Sequence, residues 1–218
     1  MIFHQRGSVA LVWVIAVVQG CASYEGVPNE AWFPRESVAT ENRIKGRVAL
    51  RVPPQVQAAV VDVRQSLRLQ IGPIAGQAML AALDDGVQGG VRQISAVPPS
   101  TTSVSNATLV LDAVRFEHEE RLLWFVWIPP LSTVNRYETS TRFVFDVSLF
   151  DAQGGHVWRH TYEDDAGRLA WTTPAANSTP LPEDIGRLAH EAAWRLAQRA
   201  TRDLREWMDM QRLQPREL

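Results

Sequence analysis

The chain has 218 residues, of which 45% are hydrophobic, and its 22 basic and 24 acidic side chains give a net charge of −2. This length and composition predict one globular domain with a sizeable core, because a chain of this size buries most of its apolar surface on folding. The near-neutral charge argues against nucleic-acid binding, which needs a basic surface. Since the chain has a single cysteine, it cannot form an internal disulfide, and its stability must come from the core.

Residues 1–20 have the pattern of a secretory signal peptide, with a short cationic start, an apolar stretch and a small residue before Cys21. The apolar stretch of about ten residues is too short for a transmembrane helix, which needs roughly 20. The sequence Val18-Gln19-Gly20-Cys21 resembles the lipobox of bacterial lipoproteins. That resemblance implies that the leader is cleaved before Cys21 and that Cys21 is lipidated. An ordinary buried thiol is the alternative.

Several acyl chains on Cys21 would hold the protein on its membrane, because each buried methylene contributes about 0.8 kcal/mol. Ala22 follows the cysteine. By resemblance to Gram-negative lipoproteins, a residue other than Asp at this position implies export to the inner leaflet of the outer membrane.

Residues 21–42 lack helical or strand periodicity and contain two prolines, so they are predicted to be a flexible tether. Trp32 and Phe33 are unusual in a linker because they are large and apolar. We expect them to pack on the flank of the domain, with partner docking as the alternative.

Residues 43–212 are predicted to form a single domain, and residues 213–218 a short tail. Residues 48–52 alternate and end at a proline pair, which is typical of a strand. Residues 59–63 are compatible with a strand or a short helix. Residues 72–86 carry an apolar stripe at helical spacing, which predicts a short core helix capped by its last glycine.

Residues 91–97 return to strand composition, and residues 107–116 begin a further strand. Residues 143–149 and 157–162 flank a glycine-containing turn, which predicts a β-hairpin. Residues 182–210 carry the longest apolar stripe at helical spacing and are predicted to be a long helix. This order predicts an α+β fold, a mostly antiparallel or mixed sheet with a short and a long helix packed on one face.

The hairpin pattern Asp151-x-x-Gly154-x-x-x-Trp158-x-x-x-Tyr162, followed by the C-terminal helix, resembles small envelope lipoproteins of the YajG and LptE kind. Those proteins have an α/β domain in which two helices cover one sheet, as in the N-terminal domain of TolB. The resemblance covers residues 44–210 and bears on the fold more than on any partner.

Residues 122–131 form the densest apolar stretch outside the leader, and they do not alternate with polar residues. One interpretation is a buried central strand, because strands covered on both faces are continuously apolar. The other is the tip of a long hairpin over residues 107–150, which would expose large side chains to a partner protein or to lipid. The candidate partner-binding residues are Trp124, Phe125, Trp127 and Ile128.

The long C-terminal helix carries arginines off its apolar stripe. Acids lie four positions from several of them, as with Arg187 and Glu191, and predict a salt-bridged, solvated face. The alternative is an anionic ligand such as lipid A, because planar guanidinium groups suit phosphates. The residues of that candidate site are Arg195, Arg199 and Arg202.

The sequence contains no GxSxG elbow, HExxH helix or phosphate-binding glycine loop. His156 and His160 are expected on one strand face about 13 Å apart, too far to share a metal ion. The run at residues 163–165, Glu-Asp-Asp, is expected to be a solvated turn. His118 is expected at an acidic, solvated strand end, and His190 at an exposed or edge position. No catalytic site, metal site or cofactor is predicted.

The sequence therefore predicts a non-enzymatic, lipid-anchored accessory protein on the periplasmic face of the outer membrane. Its expected partner is another envelope protein or a glycolipid, and assembly of lipopolysaccharide transport is one concrete version. One alternative is an enzyme acting on an envelope polymer, which a deep cleft lined by carboxylates or histidines would favour. The other is a structural lipoprotein that binds peptidoglycan.

Overall fold

The computed structural model describes residues 24–33, 43–64, 67–94, 105–127, 133–172 and 182–213. The strands are β1 Tyr24–Gly26, β2 Val48–Arg51, β3 Val61–Arg64, β4 Leu67–Leu69, β5 Val91–Ile94, β6 Ala107–Trp127, β7 Thr133–Asp151 and β8 His156–Thr172. The helices are α1 Pro54–Gln57, α2 Ile71–Gly86 and α3 Pro182–Leu213, and a 3-10 turn covers Glu30–Trp32.

The centre of the molecule is a five-stranded sheet in the order β5-β2-β6-β7-β8. Strand β2 is parallel to both of its neighbours, whereas β6, β7 and β8 form an antiparallel meander. The pairing of β6 with β7 runs from Ala107 opposite Asp151 to Trp127 opposite Thr133. A second, three-stranded sheet has the order β1-β4-β3. The pairing therefore forms the long hairpin over residues 107–150 that was one of the two interpretations of the apolar stretch.

Both long helices pack on the five-stranded sheet, α2 against β2, β5 and β6, and α3 against β7 and β8. Strand β7 contributes four fully buried residues that share one face, because side chains two positions apart point the same way. These are Phe143, Phe145, Val147 and Leu149. They belong to the same apolar cluster as the buried residues of both helices. The predicted α+β fold, with a short and a long helix on a mixed sheet, is confirmed.

Small residues let the two helices lie close together. A Cβ added to Gly86 of α2 would lie 2.8 Å from the methyl carbon of Thr201 in α3, which leaves no room for a side chain. The sequence predicted Gly86 as the helix cap, but the cap is Val87. The glycine is instead required where the helices approach. No helix within the described ranges is long and apolar enough to cross a bilayer.

The helix predicted for residues 72–86 is Ile71–Gly86, and the strand predicted for residues 48–52 is Val48–Arg51. The helix predicted for residues 182–210 is Pro182–Leu213, and the ambiguous residues 59–63 contribute to strand β3. Strand β8 is longer than the predicted residues 157–162, because it continues pairing with β7 as far as Thr172.

Residues 24–33, which the sequence assigned to a tether, belong to the folded domain. Strand β1 pairs in parallel with β4, and the side chain of Phe33 is buried in the core. A three-residue strand is too short to show any periodicity, so the sequence could not reveal it. Cys21 and residues 34–42 lie outside the described residues.

We expect Gly72→Ala to destabilise the protein by roughly 1–3 kcal/mol, the usual cost of overpacking. A Cβ at Gly72 would lie 1.8 Å from the carbonyl oxygen of Val56, so α1 and α2 would have to separate. The matched control is Gly76→Ala, where the nearest atom would be 3.7 Å away. That variant should be neutral or gain up to about 1 kcal/mol from helix propensity. Urea unfolding measures both, and equal stability of the two variants would contradict the described packing.

Candidate functional site

The strands β6, β7 and β8 continue far beyond the hydrophobic core. Strand β2 pairs with β6 only as far as Val110, so within the described ranges β7 is the sole strand partner of the rest of β6. Among the side chains that the structure describes, the last row of large buried aromatic residues is Phe116 opposite Phe143. From Phe143 to Thr133, strand β7 extends by roughly 33 Å. We call this extension the β-arm, and it comprises residues 117–127, 133–142 and 165–172.

The end of the β-arm contains most of the predicted partner-binding residues. The register places Trp124 opposite Arg136, which in turn lies opposite Trp171. Phe125 and Trp127 lie in the same strand end, whereas Ile128 lies outside the described residues. The segment forms the end of one strand of the long β6–β7 hairpin.

The end of the β-arm is depleted in acidic residues. Residues 122–137 contain no Asp or Glu, and neither do residues 166–181. The pairing of β6, β7 and β8 brings the described parts of these two stretches together. Depletion of charge together with tryptophan and arginine is typical of contact surfaces. Sequence reasoning identified the first stretch but missed the contribution of β8, because residues 169–171 show no periodicity of their own.

Asp164 is a buried charge at the root of the β-arm. Its side chain is only 8% exposed, and it lies opposite Phe143. Arg195 donates from Nε and Nη2 to one carboxylate oxygen over 2.9 and 2.6 Å, and Arg199 donates to the other over 3.2 Å. A buried carboxylate is stable only with such charged donors. The expected solvated turn at residues 163–165 is therefore wrong for Asp164.

These contacts account for two of the three arginines of the anionic-ligand hypothesis. Arg199 also donates from Nη1 to the carbonyl oxygen of Glu163 over 2.8 Å. The hydrogen bond to Asp164 raises the pKa of Arg195, which keeps its guanidinium charged. Arg202 is exposed. The structure thus brings Arg195 and Arg199 together on a carboxylate of the chain itself and does not add Arg202 to a common site.

Tyr162 and Asp203 form a second polar contact between β8 and α3. The Tyr162 hydroxyl donates to Asp203 Oδ2 over 2.7 Å, and His160 Nδ1 lies 3.3 Å from the same oxygen. Burial, followed by the bond to Asp203, raises the pKa of Tyr162, so the phenol stays protonated and acts as a donor. The His160 ring stacks on Trp158 with ring centroids 4.6 Å apart. This group holds α3 against the edge strand.

Segment 24–33 docks on the N-terminal half of α3 through His190. The backbone N–H of Asn29 donates to His190 Nε2 over 3.0 Å, and His190 Nδ1 donates to the carbonyl oxygen of Gly186 over 2.7 Å. The ring centroids of Trp32 and Phe33 lie 4.8 and 5.3 Å from the centroid of the His190 imidazole. Burial lowers the pKa of His190, which agrees with the neutral ring that these bonds require.

His190 is fully buried, so the expected exposed or edge position is wrong. The expectation that Trp32 and Phe33 pack on the domain is confirmed. The sequence feature that could have predicted the burial of His190 is its place on the apolar stripe of α3, beside the buried Ala189.

The other histidines that the structure describes are not arranged as metal ligands. A register shift in β8 places Trp158 opposite Leu149 and His156 opposite Phe150. Because Leu149 and Phe150 are neighbours in β7 and point to opposite faces of the sheet, His156 and Trp158 also lie on opposite faces. The expected common face of His156 and His160 is therefore wrong. His118 Nε2 lies 2.8 Å from a carboxylate oxygen of Glu120 on the same strand, and its side chain is buried rather than solvated. Over the described ranges, no three His, Cys, Asp or Glu side chains are grouped as for a metal ion.

An open groove of about 1050 Å³ lies at the opposite end of the sheet, between the β7–β8 turn and the C-terminal part of α3. It is lined by Lys45, Asp151, Trp207 and Arg212, among others. Asp151 accepts the backbone N–H groups of Gln153 and Gly155 over 2.9 and 2.7 Å, which commits its carboxylate to the turn. Arg212 donates to the carbonyl oxygen of Lys45. The groove therefore lacks the converging carboxylates or histidines expected of a hydrolytic cleft.

No protein-family model matches the chain, and no curated protein matches its sequence. Among solved structures, it is similar to a minor lipoprotein from Acinetobacter baumannii, with 13% identity and a TM-score of 0.41 over 79% of this chain and 99% of that one. It is also similar to rare lipoprotein B from Shewanella oneidensis, with 11% identity and a TM-score of 0.43 over 76% of this chain and 98% of that one. These values are too low to support a function, so the proposals below rest on the chain's own residues.

We expect Asp164→Asn to lower the free energy of unfolding by about 1.5–3 kcal/mol, the usual worth of hydrogen bonds to a charged group. The amide cannot replace the carboxylate that Arg195 and Arg199 share. The control is Asp165→Asn, because the Asp165 side chain is 77% exposed and its change should stay within about 0.5 kcal/mol. Urea unfolding of both variants is the measurement. Equal effects would show that the Asp164 contacts do not stabilise the fold.

Below about pH 6.5, the ordinary pKa of histidine, the unfolded chain binds a proton at His190 that the folded chain resists. The free energy of unfolding should therefore decrease as the pH is lowered. His190 should contribute up to about 1.4 kcal/mol of this decrease per pH unit. Urea unfolding of the wild type and of His190→Gln, from about pH 7.5 to about 5.5, isolates this part as the difference between the two slopes. Parallel slopes would contradict the buried, neutral histidine.

Proposed function

We propose that this protein is a lipid-anchored accessory protein of a Gram-negative cell envelope that binds or stabilises another envelope component through the end of its β-arm. The observation that carries the proposal is the β-arm itself, which extends roughly 33 Å past the pair of Phe116 and Phe143. In the described part of this extension the buried residues on the core face are Thr139 and Thr141, and none of its residues belongs to the apolar cluster. Its apolar, carboxylate-free end is suited to binding.

The anchor in this proposal is a lipid on Cys21, for which the lipobox-like sequence Val18-Gln19-Gly20-Cys21 is the support. Ala22 after the cysteine favours the outer membrane, with the domain on the periplasmic side. Assembly of lipopolysaccharide or glycolipid transport is one concrete version of the accessory role. The polar contacts in the body of the domain support a role without catalysis, because Asp164 and Asp203 bind partners within the chain.

The anchor is tested by the mass and location of the protein in cells of a Gram-negative host. We expect the purified wild type to begin at Cys21, to carry the mass of the attached acyl chains and to fractionate with the outer membrane. Cys21→Ser should lose the added mass and leave the membrane fraction, because the chain has no other cysteine to modify. A wild-type protein that keeps an unmodified Cys21 would overturn the anchor.

The docking role is tested by a photoreactive amino acid at Trp127 in the native lipoprotein, with mass spectrometry of the captured products. We expect one dominant envelope protein or lipid species. The control carries the same photoreactive group at Gln153, in the exposed turn at the opposite end of the meander, and should not capture that species. Equal capture from both positions, or none from Trp127 in a folded and lipidated protein, would contradict docking through the β-arm.

A further inference from the structure

We infer that the end of the β-arm contacts the bilayer into which the lipid on Cys21 would insert, so that the domain is held at the membrane by two points. This inference rests on the proposed lipid anchor and names membrane lipid as the partner of the β-arm. It follows from the positions of three features along α3 and from the composition of the arm.

The contacts of residues along helix α3 show where each of these features lies along the length of the molecule. Its C-terminal part lies at the β7–β8 turn, where Arg212 contacts Lys45. Seventeen residues earlier, Arg195 contacts Asp164 at the root of the β-arm. Still further toward the helix start, His190 contacts Asn29. Segment 24–33 therefore docks on the half of the helix that lies toward the β-arm.

The rest of the N-terminal segment lies at the same end of the body. The backbone N–H of Gln70, the residue before α2, donates to the carbonyl oxygen of Gly26 over 3.0 Å. The start of α2 is the end farther from the β7–β8 turn, because its last residue, Gly86, meets the C-terminal half of α3 at Thr201. Strand β1 thus joins the body near the start of both helices.

This position limits how far the membrane can be from the domain. Cys21 lies three residues before Tyr24, where β1 begins, and three extended residues span at most about 11 Å. The tether expected from the sequence would have allowed a much longer separation. With segment 24–33 docked, a lipid on Cys21 places the bilayer surface next to the end of the body from which the β-arm extends.

The β-arm is long enough to reach that surface. Helix α3 begins at Pro182, which is 13 residues before Arg195 and therefore roughly 20 Å from the root of the β-arm. The arm itself extends roughly 33 Å from the same root. The arm is therefore longer, from the same root, than the stretch of α3 that runs to the start of the helix.

The composition of the arm's end fits a lipid surface, and its position beside Cys21 favours lipid over a protein partner. Tryptophan and tyrosine are enriched where proteins meet the membrane–water interface. The register groups Trp124, Arg136 and Trp171 in one row and places Leu122 opposite Tyr137. The absence of Asp and Glu over residues 122–137 avoids repulsion from anionic headgroups. The apolar segment is too short to span a bilayer, so the contact it can make is interfacial.

The test attaches the chain to vesicles through its single cysteine. The chain from Cys21 onward is coupled to a maleimide phospholipid in vesicles of phosphatidylethanolamine and phosphatidylglycerol. The vesicles also contain a phospholipid with a photoreactive acyl chain. After irradiation, trypsin releases residues 122–136 from the end of the β-arm and residues 143–159 from the opposite end, and mass spectrometry counts lipid adducts on each peptide. Residues 21–35 serve as the positive control beside the anchor.

We expect several-fold more lipid adducts on residues 122–136 than on residues 143–159. Trp124→Ser combined with Trp127→Ser should remove most of the adducts on residues 122–136, while the labelling of residues 21–35 and the melting temperature stay unchanged. Adducts on residues 21–35 alone would overturn the inference. So would protein–protein crosslinks at residues 122–136 in place of lipid, which would indicate a second copy.

Because the coupling is chemical, this result does not depend on lipidation in cells. An unmodified Cys21 in cells, together with labelled residues 122–136 on vesicles, would overturn the anchor and leave the membrane contact standing. A lipidated Cys21 in cells, together with no adducts on residues 122–136 on vesicles, would leave the anchor standing and overturn the membrane contact.

Discussion

The packing of α3 against one face of the β6–β7–β8 meander is the interaction on which the rest of the structure depends. Strand β7 presents four fully buried apolar side chains to the helix layer, and burial of each is worth about 1.5–3 kcal/mol. Apolar contact alone does not set how far the helix is shifted along the strands. The bonds from Arg195 to Asp164 and from Tyr162 to Asp203 are directional, and they set that position at two points.

Once α3 is placed, it positions the segment that follows the proposed anchor. His190 is buried on the helix face that receives Asn29, and the neighbouring aromatic rings complete the contact. Cys21 lies only three residues before β1, so a lipid at Cys21 would bring the whole domain to the membrane surface. The same helix therefore connects the core, the root of the β-arm and the proposed membrane attachment.

The parts of this structure that the sequence predicted are those with long periodic patterns. Helix α3 and strand β7 carry enough apolar repeats to be identified from the chain alone. The β1 strand was missed because three residues show no period. The partners of Asp164 were missed because they lie on a different element, 31 and 35 residues away in the chain. His190 was misplaced because a polar residue on an apolar stripe is buried only when other segments satisfy it.

Segment 24–33 and the β-arm lie at the same end of the molecule, and two distances measure this placement directly. In a Cys21→Ser background, the introduced cysteines are the only thiols, so spin labels can be placed at Val27, Glu138 and Gln153, all of which are exposed. Pulsed electron paramagnetic resonance then measures two distances. The structure predicts a defined distance from Val27 to Glu138 that is shorter than the distance from Val27 to Gln153. The reverse order, or equally broad distributions for both pairs, would contradict it.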